Sequence, residues 1–408
     1  MGDARPSPSA GYRLRDVDAL RGFALLGILM VNACVFASTY YATGVTDPAF
    51  DSALDQAVRF VVALLFETKF YLLFSFLFGY SFTLQIAAAE RAGVSFRPRL
   101  VRRQLGLLCI GLVHGLVFFH GDILVLYALL GLALLALRGL RPRTAVRLAF
   151  ALVVLPGLLW LLLGLAATME AGVDPGGVHA GAAESTAALR GSIASVVGEH
   201  ASQFPATFAF VLLVQGPSSL AMFLVGLAAG KRRLLAEPEQ LRPFLRRVVA
   251  VALPLGLAGS AVYAAATVLA PGSGTEVLGF AVDLLTAPLL TASYVALALL
   301  AFRTPRGSWV ADRLAPPGRT ALTNYLLQSL ALGVVFTAYG LGLTGRVGPL
   351  PVIGIVLGIF ATQLWLSAWW LRTHEYGPVE WLLRALTTLS WPRWRSQRPA
   401  AASLATGR

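Results

Sequence analysis

Charge is scarce in this chain: Asp, Glu, Lys and Arg together fill only 13% of 408 positions. That is too little to cover the surface of a soluble domain of this length, so a soluble globular fold is excluded at the outset. Cysteine is nearly absent. Cys34 and Cys109 both fall in apolar segments, which excludes a disulfide framework and leaves two small core residues. The five histidines are scattered, and no Cys/His cluster has the spacing of a metal site. No glycine-rich phosphate loop stands between a strand and a helix. A cleavable targeting segment is not expected either, since the apolar stretch after Arg13 and Arg15 runs too long and lacks a small-x-small exit. Val31-Asn32-Ala33-Cys34 approaches a lipidation site, but Asn32 occupies a position that takes a small or apolar residue.

What is abundant is hydrophobic sequence, 57% of the chain, with a mean hydropathy of +0.72. These values predict an all-α, polytopic transmembrane bundle. Stretches of helix-spanning length place about ten spans near 18–38, 58–88, 100–119, 121–138, 146–168, 205–229, 245–269, 277–302, 319–340 and 349–372. The second is too long for one upright crossing and is expected to break around Glu67-Thr68-Lys69. The third and fourth are separated only by His120-Gly121, which demands a tight hairpin. This divides the chain into a cytoplasmic segment (1–17), an N-terminal membrane half (18–168), an extracytoplasmic loop (169–204), a C-terminal membrane half ending in an interfacial helix (205–390), and a tail (391–408). The Gly/Ala/Ser-rich loop is expected to be mobile.

The net charge of +13 invites a nucleic-acid reading, but its placement argues otherwise. Of the 33 Lys and Arg residues, 29 fall in one set of alternate inter-span segments. Arg190 and Arg346 are alone in the opposite set, with Arg59 and Lys69 in or beside the second span. Such asymmetry marks the cytoplasmic side, puts both termini there, and implies a multi-pass protein of a bacterial plasma membrane whose partner is the bilayer and not nucleic acid.

Polar residues at membrane depth are costly and tend to line functional cavities. Arg21 and Asn32 stand eleven residues apart in the first span, and Arg103 and His114 repeat that interval in the third. Eleven residues are almost three helical turns, so each pair shares a face across ~16 Å of rise. His120 and Asp122 occupy the adjoining hairpin. Paired arginines suit the phosphates of a cytoplasmic acyl-CoA. A neutral imidazole in the outer half can deprotonate an acceptor, oriented by a carboxylate. On this reading His114 is the base, Asp122 its orienter and His120 its rival. Asn32 and Lys69 are candidate stabilisers of the developing oxyanion. Lys69 has a plainer alternative, snorkelling to the interface or pairing with Glu67. Thr320, Asn324 and Gln328 form a stripe in the ninth span, suited to the CoA arm or an acceptor, or to helix–helix hydrogen bonding. His374-Glu375 and Glu380 with Arg384 read as part of an interfacial helix with an i, i+4 ion pair.

The run from Asp18-Ala-Leu-Arg21-Gly22 to Val31-Asn32 resembles the start of the YeiB-like bacterial membrane proteins. So do Lys69-Phe70 with Leu73 to Gly79, His114 with Gly121-Asp122-Ile123-Leu124 and Tyr127, Gly318 to Tyr325 with Gln328-Ser329, and Gly377 to Trp381 with Arg384. The resemblance covers nearly the whole chain and includes that family's characteristic C-terminal domain of unknown function. More distantly, the Arg-Gly start is similar to a transmembrane acyltransferase superfamily that includes heparan-alpha-glucosaminide N-acetyltransferase and bacterial O-acyltransferases. In the O-acyltransferases a histidine proposed to be catalytic follows the first-helix arginine by eleven residues. Here that position is Asn32, so the resemblance implies the activity while the base must be found elsewhere.

Two functions follow. One is transfer of an acyl group from cytoplasmic acyl-CoA, with no tightly bound cofactor or metal, to a lipid-linked, cell-envelope or secondary-metabolite acceptor. The other is transport or export of a small amphipathic molecule. Coupled transporters usually carry intramembrane acids and internal repeats. No repeat is evident, and only Glu67, Asp122 and Asp283 are acids at depth, which favours the enzyme.

Overall fold

The computed structural model describes residues 8–169, 174–236 and 238–395. The ends of the expected N-terminal segment and tail, with Arg5, Arg398 and Arg408, lie outside the described residues. Its helices are α1 (Pro8–Ala37), α2 (Ala53–Leu65), α3 (Lys69–Arg91), α4 (Phe96–Val117), α5 (Leu124–Leu137), α6 (Pro142–Ala167), α7 (Pro175–Gly191), α8 (Ile193–Phe210), α9 (Gly216–Lys231), α10 (Pro238–Leu269), α11 (Gly274–Ala301), α12 (Pro305–Arg319), α13 (Ala321–Phe336), α14 (Pro349–Trp370) and α15 (Pro378–Thr388). Among the described residues there is no strand, only an isolated bridge between His374 and Arg395. Eight helical segments are long and apolar enough to cross a membrane. The other two expected spans correspond to the shorter apolar helices α5 and α13.

Lipid-facing helices show their apolar side chains outward. On α6, Phe150, Leu155, Leu159 and Leu162 are exposed, as a helix bathed in hydrocarbon requires. Trp365, Trp369, Trp370, Trp381, Trp391 and Trp394 gather where α14 ends and α15 lies across the bundle, an aromatic belt suited to a membrane interface.

The second apolar stretch breaks where its sequence is polar. Between α2 and α3, Thr68 adopts a left-handed φ of 65°, and its hydroxyl donates to Asp283 Oδ2 at 2.6 Å. A β-branched residue rarely accepts this backbone, so the contact holds a strained turn in place. Close helix crossings rest on glycine. A Cβ on Gly22 would overlap the Leu314 carbonyl, and one on Gly318 would overlap that of Asp18, so these two residues let α1 and α12 meet backbone to backbone. Gly79 and Gly226 do the same for α3 and α9.

Residues 169–204 differ from expectation. Of the described residues, 175–191 form α7 and 193–204 the start of α8, with Leu189, Val196, His200 and Phe204 buried. Asp174 caps α7 through the Gly176 and Gly177 amides, with Pro175 in the first turn. A Ser192 capping box opens α8. Caps of this kind specify helix starts even where composition looks loop-like. A π-helical turn, Val211–Gln215, then joins α8 to α9.

Candidate functional site

Helices α1 and α4 run in the same direction and approach each other at both ends. At one end Arg103 lies within electrostatic reach of Arg21 and of Glu380. At the other, Phe36 stacks on Phe119 with ring centroids 4.9 Å apart. Arg21 is fixed by Asp18 at 2.6 Å and Ser81 at 2.5 Å. The Arg103 Nε is buried without a hydrogen-bond partner, an unspent donor beside a second guanidinium.

About three turns along α4 lies His114, 2% exposed. Its Nδ1 is 2.8 Å from Asp122 Oδ1. The other carboxylate oxygen accepts the Val125 amide at 2.8 Å, so capping α5 also aims Asp122 at the imidazole. A Cβ on Gly111 would fall against Asp122 and Val125, which explains the glycine one turn before His114. A carboxylate can only accept, so Nδ1 carries the proton, and in the neutral imidazole Nε2 presents a lone pair. That Nε2 is buried and unpartnered. The Tyr325 ring of α13 lies 5.0 Å from the imidazole, and its buried hydroxyl faces the Ile123 backbone. Phe118 and Phe119 close the remaining sides.

Asn32 is half-buried. Helical periodicity puts it on the same face of α1 as Leu25, Leu29 and Phe36, the face that meets α13 and Phe119. Asn324 donates to Thr320, Pro317 and Ser367. Gln328 donates to the Leu25 carbonyl and to Gln363 Oε1, and Gln363 donates to the Asn324 carbonyl. The stripe on α13 is therefore occupied with holding α1, α13 and α14 together, except for the buried, unpartnered Gln328 Oε1.

Two predicted residues belong to other clusters. His120 Nδ1 lies 3.2 Å from His200 Nδ1, and burial holds its pKa below the ordinary value, against the opposing pull of Glu199. Lys69 is fully buried. Its Nζ is 3.0 Å from Asp283 Oδ1 and 3.0 Å from the Ala63 carbonyl, so its partner is Asp283 and not Glu67. Asp283 also accepts from Ser260 at 2.7 Å. Glu380 departs from the expected ion pair as well. Its carboxylate caps α13 through the Leu322 and Thr323 amides and the Thr323 hydroxyl, with its pKa raised by burial and lowered in turn by those bonds. Arg384 lies over the Tyr376 ring instead, at 4.9 Å.

Sequence reasoning misses Tyr325 and His200 as site residues. The signal for Tyr325 is its place in the Gly318–Tyr325 motif. His200 lies in a segment whose composition reads as a loop.

These features define a multi-pass helical membrane protein with a buried His–Asp pair. Residues 229–390 match a family described as a protein of unknown function, DUF418. The chain is 32% identical to the uncharacterized protein YxaH of Bacillus subtilis, across 93% of this chain and 95% of that protein. It is 28% identical to the uncharacterized protein YeiB of Escherichia coli, across 91% and 95% respectively. The chain belongs to the DUF418 family.

Proposed function

We propose that the protein is a plasma-membrane acyltransferase that moves an acyl group from cytoplasmic acyl-CoA to a hydroxyl or amine on a lipid-linked, cell-envelope or secondary-metabolite acceptor. One observation carries the reading: His114 is oriented by Asp122 and presents a buried, unpartnered Nε2 on the helix face that bears Arg103, ~16 Å away by helical rise. Arg21 and Arg103 would hold the CoA phosphates, and the pantetheine arm would bring the thioester toward His114. Nε2 takes the acceptor's proton as its oxygen or nitrogen attacks the carbonyl carbon. Asn32 and Tyr325 would donate to the resulting oxyanion. The C–S bond then breaks, the imidazolium returns the proton to the departing sulfur, and the products are the acylated acceptor and free CoA thiol. The charges bound in other clusters, Lys69 and Asp283, take no part in this step.

The test is to incubate the purified protein in lipid with radiolabelled acyl-CoAs and a membrane extract, and to follow label into the extract. Saturable, protein-dependent transfer with release of CoA thiol is expected. Absence of both binding and transfer across acyl chain lengths would remove the reading and leave transport of an amphipathic molecule as the explanation for the buried polar residues.

A further inference from the structure

On the side of α1 turned away from Asn32 lies a cavity, independent of the acyl-transfer reading. It has a volume of about 130 Å³ and lies at the end of the bundle where α1 finishes. Its wall includes Cys34 and Ala37 of α1, which helical periodicity sets roughly opposite Asn32. Glu67, in the break between α2 and α3, contributes its carboxylate. Tyr41 donates to Oε1 and Tyr263 to Oε2, each at 2.6 Å, and both rings line the cavity with Phe50.

The charges around this carboxylate do not balance. Lys69 is the nearby buried cation, and it is already paired with Asp283 at 3.0 Å. Glu276, a second carboxylate on the cavity wall, accepts the Gly272 amide. Asp47, a third, accepts from Ser38 and the Ala49 amide. The single arginine of the wall, Arg59, is turned to the Phe50 carbonyl and to Asp51. Glu67 is half-buried, and a carboxylate in that setting whose direct side-chain partners are two tyrosine hydroxyls remains short of positive charge. Aromatic faces beside a carboxylate form the usual receptor for an organic ammonium. We propose that this cavity binds a small organic ammonium group, the head of an amine-bearing metabolite or lipid, with Glu67 as its counter-ion and Tyr41, Tyr263 and Phe50 as its walls.

Isothermal titration of the full chain in nanodiscs would compare n-butylammonium, n-butanol and butyrate, three probes of one size and different charge. Saturable binding of the ammonium, at least tenfold tighter than the alcohol and with butyrate unbound, is expected. Glu67→Gln should weaken ammonium binding at least tenfold, and Tyr263→Phe should weaken it less, since the ring face remains. His114→Gln should leave it unchanged, which separates this site from the acyl-transfer site. Equal binding of ammonium and alcohol, preference for butyrate, no saturable binding, or a Glu67→Gln variant that binds as well as wild type would each overturn the proposal. Should Glu67→Gln not fold, the comparison of three probes on the wild-type protein decides the matter alone.

Discussion

Replacing Asp283 with asparagine would leave the Lys69 ammonium in the bundle interior without its counter-charge. Both side chains are fully buried and their charged atoms lie 3.0 Å apart, so water cannot take the place of the lost carboxylate. Nζ would keep the Ala63 carbonyl, which is a partial dipole and not a charge. Removing one member of such a pair costs about 3–5 kcal/mol, which corresponds to a fall of roughly 4–6 °C in the unfolding midpoint for a chain of this size. Thr68 and Ser260 donate to different oxygens of Asp283, so one of the two also loses its acceptor to the new amide nitrogen. The partner double variant Lys69→Met/Asp283→Leu removes both charges and should recover most of the loss, because two apolar side chains of similar volume replace a pair whose desolvation was costly. Thermal unfolding of the detergent-solubilised protein, followed by tryptophan fluorescence, measures both. An Asp283→Asn midpoint within about 2 °C of wild type, or a double variant no more stable than the single one, would refute the reasoning.

Gly318→Ala should destabilise by at least about 1–3 kcal/mol, as expected for overpacking, because its Cβ meets the Asp18 carbonyl and backbone cannot move aside as a side chain can; the same fluorescence melt reads it. Arg21→Ala or Arg103→Ala should weaken acyl-CoA binding in equilibrium dialysis while the protein stays folded in the membrane, with lysine restoring only part of it, since an ammonium cannot reproduce a paired guanidinium grip. Unchanged affinity in both would return these arginines to marking topology. Reporter fusions after residues 95, 142 and 310 should signal cytoplasm, and those near 45, 185 and 345 the exterior; a single fusion on the wrong side would break the assigned orientation.

Features set by neighbours in sequence were legible before the structure. Hydropathy located the spans, and the Glu67-Thr68-Lys69 interruption located the break between α2 and α3, because three polar residues cannot continue an apolar helix cheaply. The eleven-residue intervals became shared faces because α1 and α4 are continuous through them. The His114–Asp122 contact was within reach because a tight hairpin leaves its flanking side chains few places to go. Features set by chain crossings were not legible. Lys69 and Asp283 are 214 residues apart, and nothing in either span indicates the other; the nearer Glu67 was the natural but incorrect partner. Glu380 similarly caps a helix through Thr323, 57 residues earlier, where an i, i+4 arginine offered a local alternative. The segment 175–204 differs for another reason. Its glycine and alanine content reads as a loop, although the Asp174-Pro175 start and the Ser192 cap mark two helices.

The central claim, that His114 is the base of an acyl transfer, is tested most directly by one paired measurement on His114→Gln: the rate of label transfer from acyl-CoA to acceptor, and the affinity for the same acyl-CoA. The account predicts a loss of transfer of roughly 10²–10⁴-fold, the usual cost of removing a general base, with acyl-CoA affinity unchanged because Arg21 and Arg103 are intact. Transfer within tenfold of wild type would contradict it.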